Sequence, residues 1–331
     1  WLKISRMRKS IIMAMAAIAL GITTVSCSSQ KPQAEKSPSP SPSPLPSTNT
    51  QSPTALFPKN PNQPPPSIFP SSANTAADAI NQGLALYQQG NYKGAEIVLQ
   101  RAITLDPNNA TAQYTLCKAM AEQGKLEAAV AYCQTAVRVA PKDSNAHASL
   151  GNTLGKMGKM EEAIASFRKA IELDPKNIKA QDNLGVALAK TGKLDEAIAQ
   201  HQKAIAIDPK YVQAHMNLGT IFAAQGKLEP AVSEYQQAVA LNPNIPEAFA
   251  NLGILLVAQK KLPEASEAFK KAIALNPNAA DARANLGITL YQQGNKQEAI
   301  LQLKQARDIF KAQGNNPGVT QIDQILQKIG G

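Results

Sequence analysis

Histidine and cysteine are scarce in this 331-residue chain, at three each, and aromatic residues make up only 5% of it. His147, His201 and His215 stand in separate segments. A metal centre needs several ligands converging on one point, so this spread argues against one and leaves the histidines as partly buried packing residues. There is no nucleophile elbow, no phosphate-cradling glycine loop and no obvious pair of catalytic carboxylates, which argues against an enzyme and implies no cofactor. Positive charge is plentiful, with a formal net of +10, but poorly placed for nucleic acid. Lys3, Arg6, Arg8 and Lys9 supply four charges at the front, and Lys31, Lys36 and Lys59 against Glu35 supply a net +2. Residues 76–331 keep +4, without a basic run or a patch interleaved with aromatics, so nucleic-acid binding is not expected. The apolar run 11–22 falls short of the ~20 residues a membrane span needs.

What the chain does have is a period. Pro107, Pro141, Pro175, Pro209, Pro243 and Pro277 stand 34 residues apart. A fixed spacing of that length marks a solenoid built by stacking one supersecondary unit. With each proline at position 32, units begin at Ala76, Ala110, Ser144, Ile178, Val212, Pro246 and Ala280. Position 20 is alanine in every unit (Ala95, Ala129, Ala163, Ala197, Ala231, Ala265, Ala299), and so is position 27 (Ala102, Ala136, Ala170, Ala204, Ala238, Ala272, Ala306). Position 7 is leucine from Leu116 to Leu286, and position 8 is glycine except at Cys117. Each unit holds two stretches of helical periodicity broken near position 15, as by Gly158 in the third, and the proline prevents further continuation. Small residues at positions 8 and 20 are expected where the two helices of a unit come nearest, and position 27 where one unit meets the next.

This pattern resembles the tetratricopeptide repeat over residues 76–313. The resemblance implies an all-α, right-handed α-solenoid of seven 34-residue helix-turn-helix units. Lys311 stands where a seventh proline would fall, so the last second helix is expected to run on to Gly314. Residues 314–331 are expected to form a capping helix with Val319, Ile322, Ile325, Leu326 and Ile329 on one face. Lys260 replaces the usual turn glycine, and Ala79 is small for position 4. Cys117 and Cys133 fall at positions 8 and 24 of the second unit. If position 8 opposes position 20, position 24 lies a helical turn away. That separation favours two buried thiols over a disulfide.

The front of the chain reads as an address and a tether. Residues 1–27 have the layout of a bacterial export signal, with Met7 as the expected initiator. Thr24-Val25-Ser26-Cys27 resembles a lipoprotein processing site, which implies a lipid on Cys27 and anchorage in the bacterial cell envelope; ordinary cleavage, giving a soluble exported protein, is the alternative. Residues 28–75, with Ser and Pro alternating over 37–44, are expected to be a disordered, extended, semi-rigid spacer.

In tetratricopeptide-repeat proteins the first helices line the concave face, and this implies a binding surface for a protein or peptide segment. Position 6 places Asn81, Asn183, Asn217, Asn251 and Asn285 there; amides both donate and accept, as main-chain recognition requires. Lys118, Lys156, Lys179 and Lys190 make the early middle of the groove basic, while Met216, Phe222, Ile254, Val257 and Ile288 make the later part apolar. Tyr87 and Tyr291 hold position 12 at opposite ends. No unit carries the lysine and asparagine set that clamps chaperone C-termini. The expected function is a non-enzymatic scaffold. The alternative is a self-associating element of an envelope secretion or polysaccharide-export machine.

Overall fold

The computed structural model describes residues 75–330. Residues 1–74, which hold the expected export signal, the expected lipid site Cys27 and nearly all of the expected spacer, lie outside the described residues. Among those described there are fifteen α-helices and no strand. They run as seven antiparallel pairs: α1 (Ala76–Gln88) with α2 (Tyr92–Leu105), α3 (Ala110–Glu122) with α4 (Leu126–Val139), α5 (Ser144–Lys156) with α6 (Met160–Leu173), and α7 (Ile178–Lys190) with α8 (Leu194–Ile207). Then come α9 (Val212–Ala224) with α10 (Leu228–Leu241), α11 (Pro246–Ala258) with α12 (Leu262–Leu275), and α13 (Ala280–Gln292) with α14 (Lys296–Ala312). A single helix, α15 (Asn316–Ile329), closes the stack. The α-solenoid of seven units with a terminal capping helix is therefore present.

The junction between units is a hydrogen-bonded device. The residue before the proline (Asp106, Asp174, Asp208, Asn242 or Asn276) accepts from the amide two places on, an Asx turn that ends one helix and starts the next. Asn109, Asp143 and Asn177 then cap the following helix by accepting from its early amides. Position 4 completes the junction. Gln113, His147, Gln181, His215 and Arg283 each reach the carbonyl of the proline six residues back, at 3.0–3.3 Å. His147 and His215 were expected only to pack; they also bond a proline carbonyl in the junction between units.

Within a pair the tight turn needs a left-handed residue. Gly158 takes φ 81° there, and Lys260, at φ 63°, is the one non-glycine with positive φ among the described residues. Counting outward from that turn places position 8 opposite 24, and 12 opposite 20. A β-carbon built on Gly151 would lie 2.9 Å from the Phe167 ring; one on Gly185 would lie 2.6 Å from His201; one on Gly155 would lie 3.8 Å from the Ala163 β-carbon. The Gly151 β-carbon would also lie 3.1 Å from the Ala163 carbonyl, so positions 8 and 20 do meet at the close approach, but position 24 covers position 8 as well, and this corrects the reading of the cysteines. Cys117 and Cys133 occupy the opposed pair and form a disulfide, with α-carbons 5.4 Å apart. The second unit holds its helices by a covalent bridge where the others set glycine against a large side chain.

Position 27 seals one unit to the next, as expected: Ala102 packs with Ala112, and Ala272 with Ala282. At the end of the stack, α15 buries Ile322, Ile325, Leu326 and Ile329 against Ala284, Ile288, Ala306 and Phe310. It takes the place of the first helix of an eighth unit. Along most of the stack, first helices pack on first helices (α1 on α3, α3 on α5, α5 on α7, α7 on α9, α11 on α13). They line one side of the stack, as the inner face of a solenoid does.

Candidate partner-binding groove

The basic part of the wall is built around Lys118 on α3. Its ammonium lies 4.9 Å from the centroid of the Tyr87 ring on α1 and 5.4 Å from that of Tyr114, one turn earlier on its own helix. Tyr87 in turn leans on Tyr92 of α2, centroids 5.5 Å apart. Burial, and then the charge of Lys179, lower the pKa of Lys118. Burial above all, with Glu122 and Tyr92, pushes the Tyr87 hydroxyl well above the ordinary tyrosine value. Lys156 pairs with Glu122 at 2.7 Å, so its charge is already answered. Lys179 and Lys190 are exposed, and like Lys118 they join no ion pair among the described residues.

The asparagine row is brought into line on successive first helices but is not uniformly open. Asn81 is exposed, Asn183, Asn217 and Asn251 are half-buried, and Asn285 is buried. Position 6 leans on the preceding unit. Asn217 donates to Asp182 at 3.0 Å, and Asn251 donates to the Tyr235 hydroxyl at 3.0 Å. Each of these amides retains its second N–H, and Asn217 also accepts from Gln213 at 3.5 Å. In the apolar part, Phe222, Ile254 and Val257 stay half-buried, whereas Met216 and Ile288 are covered by neighbouring helices.

The sequence reading missed the polar centre of the wall. Asp182, at position 5 of α7, is 3% exposed, and His201, at position 24 of α8, is 0% exposed. The Nδ1–H of His201 donates to Asp182 at 2.7 Å; Tyr211 approaches the second carboxylate oxygen at 3.5 Å. The His201 Nε2 is buried against Gly185 without a hydrogen-bond partner. Three elements thus converge on one carboxylate. A signal existed: residues 19 apart face each other across a unit. That spacing joins Asp182 to His201, His215 to Glu234 at 2.7 Å, and Arg283 to Gln302 at 3.2 Å. Tyr235 shows the same inward reach. Its ring fills the position opposite Gly219, and its hydroxyl bonds Thr220 at 2.7 Å. Burial, outweighing the Thr220 and Asn251 bonds, raises its pKa.

Among the described residues, no group of three histidine, cysteine, aspartate or glutamate side chains is placed to hold a metal ion, and no helix is long and apolar enough to cross a membrane. The groove offers amides, ammonium groups and ring faces, which is the chemistry of binding a polypeptide.

Profiles described as tetratricopeptide repeat match residues 86–152, 144–177, 166–199 and 279–312, and one described as TPR repeat matches 187–226, 219–260 and 255–294. Together they span most of the solenoid. No curated protein sequence matches significantly. Among solved structures, the Cut9–Hcn1 assembly of the APC/C is similar at a TM-score of 0.61 and 17% identity, over 76% of this chain and 48% of that one. Pseudomonas aeruginosa PilF is similar at 0.58 and 18%, over 66% and 97%. YrrB, described as a TPR protein with an unusual peptide-binding site, gives 0.49 and 26%, over 58% and 97%. At these identities Cut9–Hcn1 and PilF speak for the fold. With an interaction scaffold's architecture and repeat profiles along the solenoid, this chain belongs to the tetratricopeptide repeat family.

Proposed function

We propose that this protein is a non-enzymatic scaffold, anchored in the bacterial envelope through a lipid on Cys27, whose first-helix wall holds an extended segment of a partner protein. The observation that carries the reading is that half-buried Asn183, Asn217 and Asn251 and the lysines Lys118, Lys179 and Lys190 all lie on first helices, on one side of the stack. Amides at unit spacing suit a main chain, and ammonium groups suit an acidic stretch of the same segment. The Cys117–Cys133 disulfide supports an exported location, since such bonds persist in oxidising compartments. The proline-rich 28–75 spacer suits a tether, with a reach of roughly 150 Å if fully extended at ~3.1 Å per residue.

Two experiments test the two halves of the proposal. A photocrosslinker placed at Asn217 in the native envelope should trap a partner, and the change Asn183→Ala with Asn251→Ala should weaken that capture. Unchanged capture would remove the amide row from the reading. Metabolic labelling with a fatty acid should mark the wild type and not Cys27→Ala; label on neither would leave a soluble exported protein.

Exposed Ile97 and Leu301, at equivalent places in the first and last units, together with Leu105 and Leu275, favour a second reading as a self-associating assembly element. Light scattering separates the two. A stable monomer at micromolar concentration would exclude self-assembly.

A further inference from the structure

We propose that Lys118, framed by Tyr87 and Tyr114, is the anchoring point for a side-chain carboxylate of the partner segment, so that the groove selects an acidic peptide and seats it beside α1 and α3, the first two helices of the wall. The inference deepens the groove reading and rests on it.

Four observations carry it. First, Lys118 is half-buried yet joins no ion pair among the described residues, while its neighbour Lys156 is matched by Glu122 at 2.7 Å. A desolvated ammonium left without a carboxylate costs stability, and such groups cluster at binding sites. Second, two ring faces from two helices hold the ammonium in place, so little side-chain freedom is lost when an anion arrives. Third, Lys179 on the next first helix but one adds positive potential that Lys118 feels. A carboxylate between them would relieve that repulsion. Fourth, Tyr87 itself is propped against Tyr92 of α2, ring centroids 5.5 Å apart, so the frame around the ammonium is held from behind. Glu122, one turn further along α3, is paired with Lys156 at 2.7 Å.

The set differs from the lysine and asparagine clamp for chain ends. The anchor is a position 9 lysine in an aromatic frame, and it takes a carboxylate from the middle of a segment.

The test uses the full chain and a fluorescein-labelled hexaglutamate with an amidated C-terminus, followed by anisotropy at low and physiological salt. A hexaglycine with a free C-terminus and a hexalysine serve as probes of chain-end and opposite charge. The amidated hexaglutamate should bind saturably, the other two should not, and Lys118→Gln should weaken binding about tenfold, the scale of one well-formed charged contact. Lys179→Gln should weaken it less, and Lys270→Gln on α12, whose lysine pairs with Glu267, should leave it unchanged. Carbodiimide coupling of the bound peptide followed by mass spectrometry should place the new amide on Lys118. Equal loss from Lys118→Gln and Lys270→Gln, coupling spread evenly over surface lysines, or tighter binding of hexaglycine would each overturn the proposal. If Asn217 crosslinks a partner in the envelope while hexaglutamate fails to bind, the anchor falls and the groove stands. If Asn217 crosslinks nothing, the groove reading falls as well.

Discussion

Reduction of the Cys117–Cys133 bridge should weaken one part of the solenoid and leave the rest intact. The bridge closes a loop of 16 residues, comprising the end of α3, the turn and the start of α4. The chain-entropy account assigns a loop of that length about 3 kcal/mol. Both sulfurs lie in side chains that are 0% exposed, so a reductant reaches them only when the pair opens locally. Reduction should therefore be slow in native buffer and fast in moderate urea. In a solenoid each unit leans only on its neighbours, so the loss should stay local. Amide exchange should speed up in α1–α6 and hardly change in α11–α15. The cleanest variant restores the unit's own pairing, Cys117→Gly with Cys133→Phe, as in Gly151 with Phe167. It removes the bridge and fills the space. Its urea midpoint should fall between those of the oxidised and reduced wild type. Intact mass should rise by two hydrogens on reduction. If the mass does not change, or if the oxidised and reduced proteins melt alike, the opposition of positions 8 and 24 in this unit is wrong.

The same opposition predicts that Gly253→Ala destabilises. Its β-carbon would sit 2.6 Å from the fully buried Phe269 ring, and overpacking of about 1–3 kcal/mol outweighs the helix preference of about 1 kcal/mol that alanine brings. A higher urea midpoint for this variant would contradict the packing. Lys260→Gly should stabilise by roughly 0.5–1 kcal/mol, since it removes a lysine from the left-handed region at φ 63°; thermal melting of the pair of proteins decides. Glu96 bears on acid stability. Burial works against its charge, but hydrogen bonds from Lys125 and Gln123 win and hold its pKa below the usual glutamate value. A depressed carboxylate contributes stability that is present above the unfolded pKa, near ~4.3, and lost as pH falls through the folded one. Glu96→Gln should flatten the acid limb of the stability curve, and an unaltered limb would refute the assignment.

How much of this was legible in advance follows from the range of each interaction. The turn at Gly158 and the extended helix α14 are local features, written in residues that fix their own backbone. Their spacing was visible without any structure. The opposition of 8 with 24 was a matter of counting from the turn, yet it was misjudged. The expectation paired the glycine only with the small residue at 20, whereas the fold also lays the larger side chain at 24 over it. The groove was legible as a set of positions but not as an environment. Position 6 belongs to the wall, but whether an asparagine there meets solvent, Asp182 or the Tyr235 hydroxyl depends on the unit before it.

The sequence by itself determined the number of units, the two helices in each, their turns and the face each helix buries. These depend on contacts within 34 residues, repeated seven times, so that repetition turns a weak local signal into a firm one. Only the tertiary structure decided which charges remain unanswered. Lys156 and Lys118 look alike in sequence, but a neighbouring helix gives one a glutamate and the other an aromatic ring, added to the one on its own helix. Stacking sets that difference, because the angle between units brings side chains from separate units and helices to within a few ångströms.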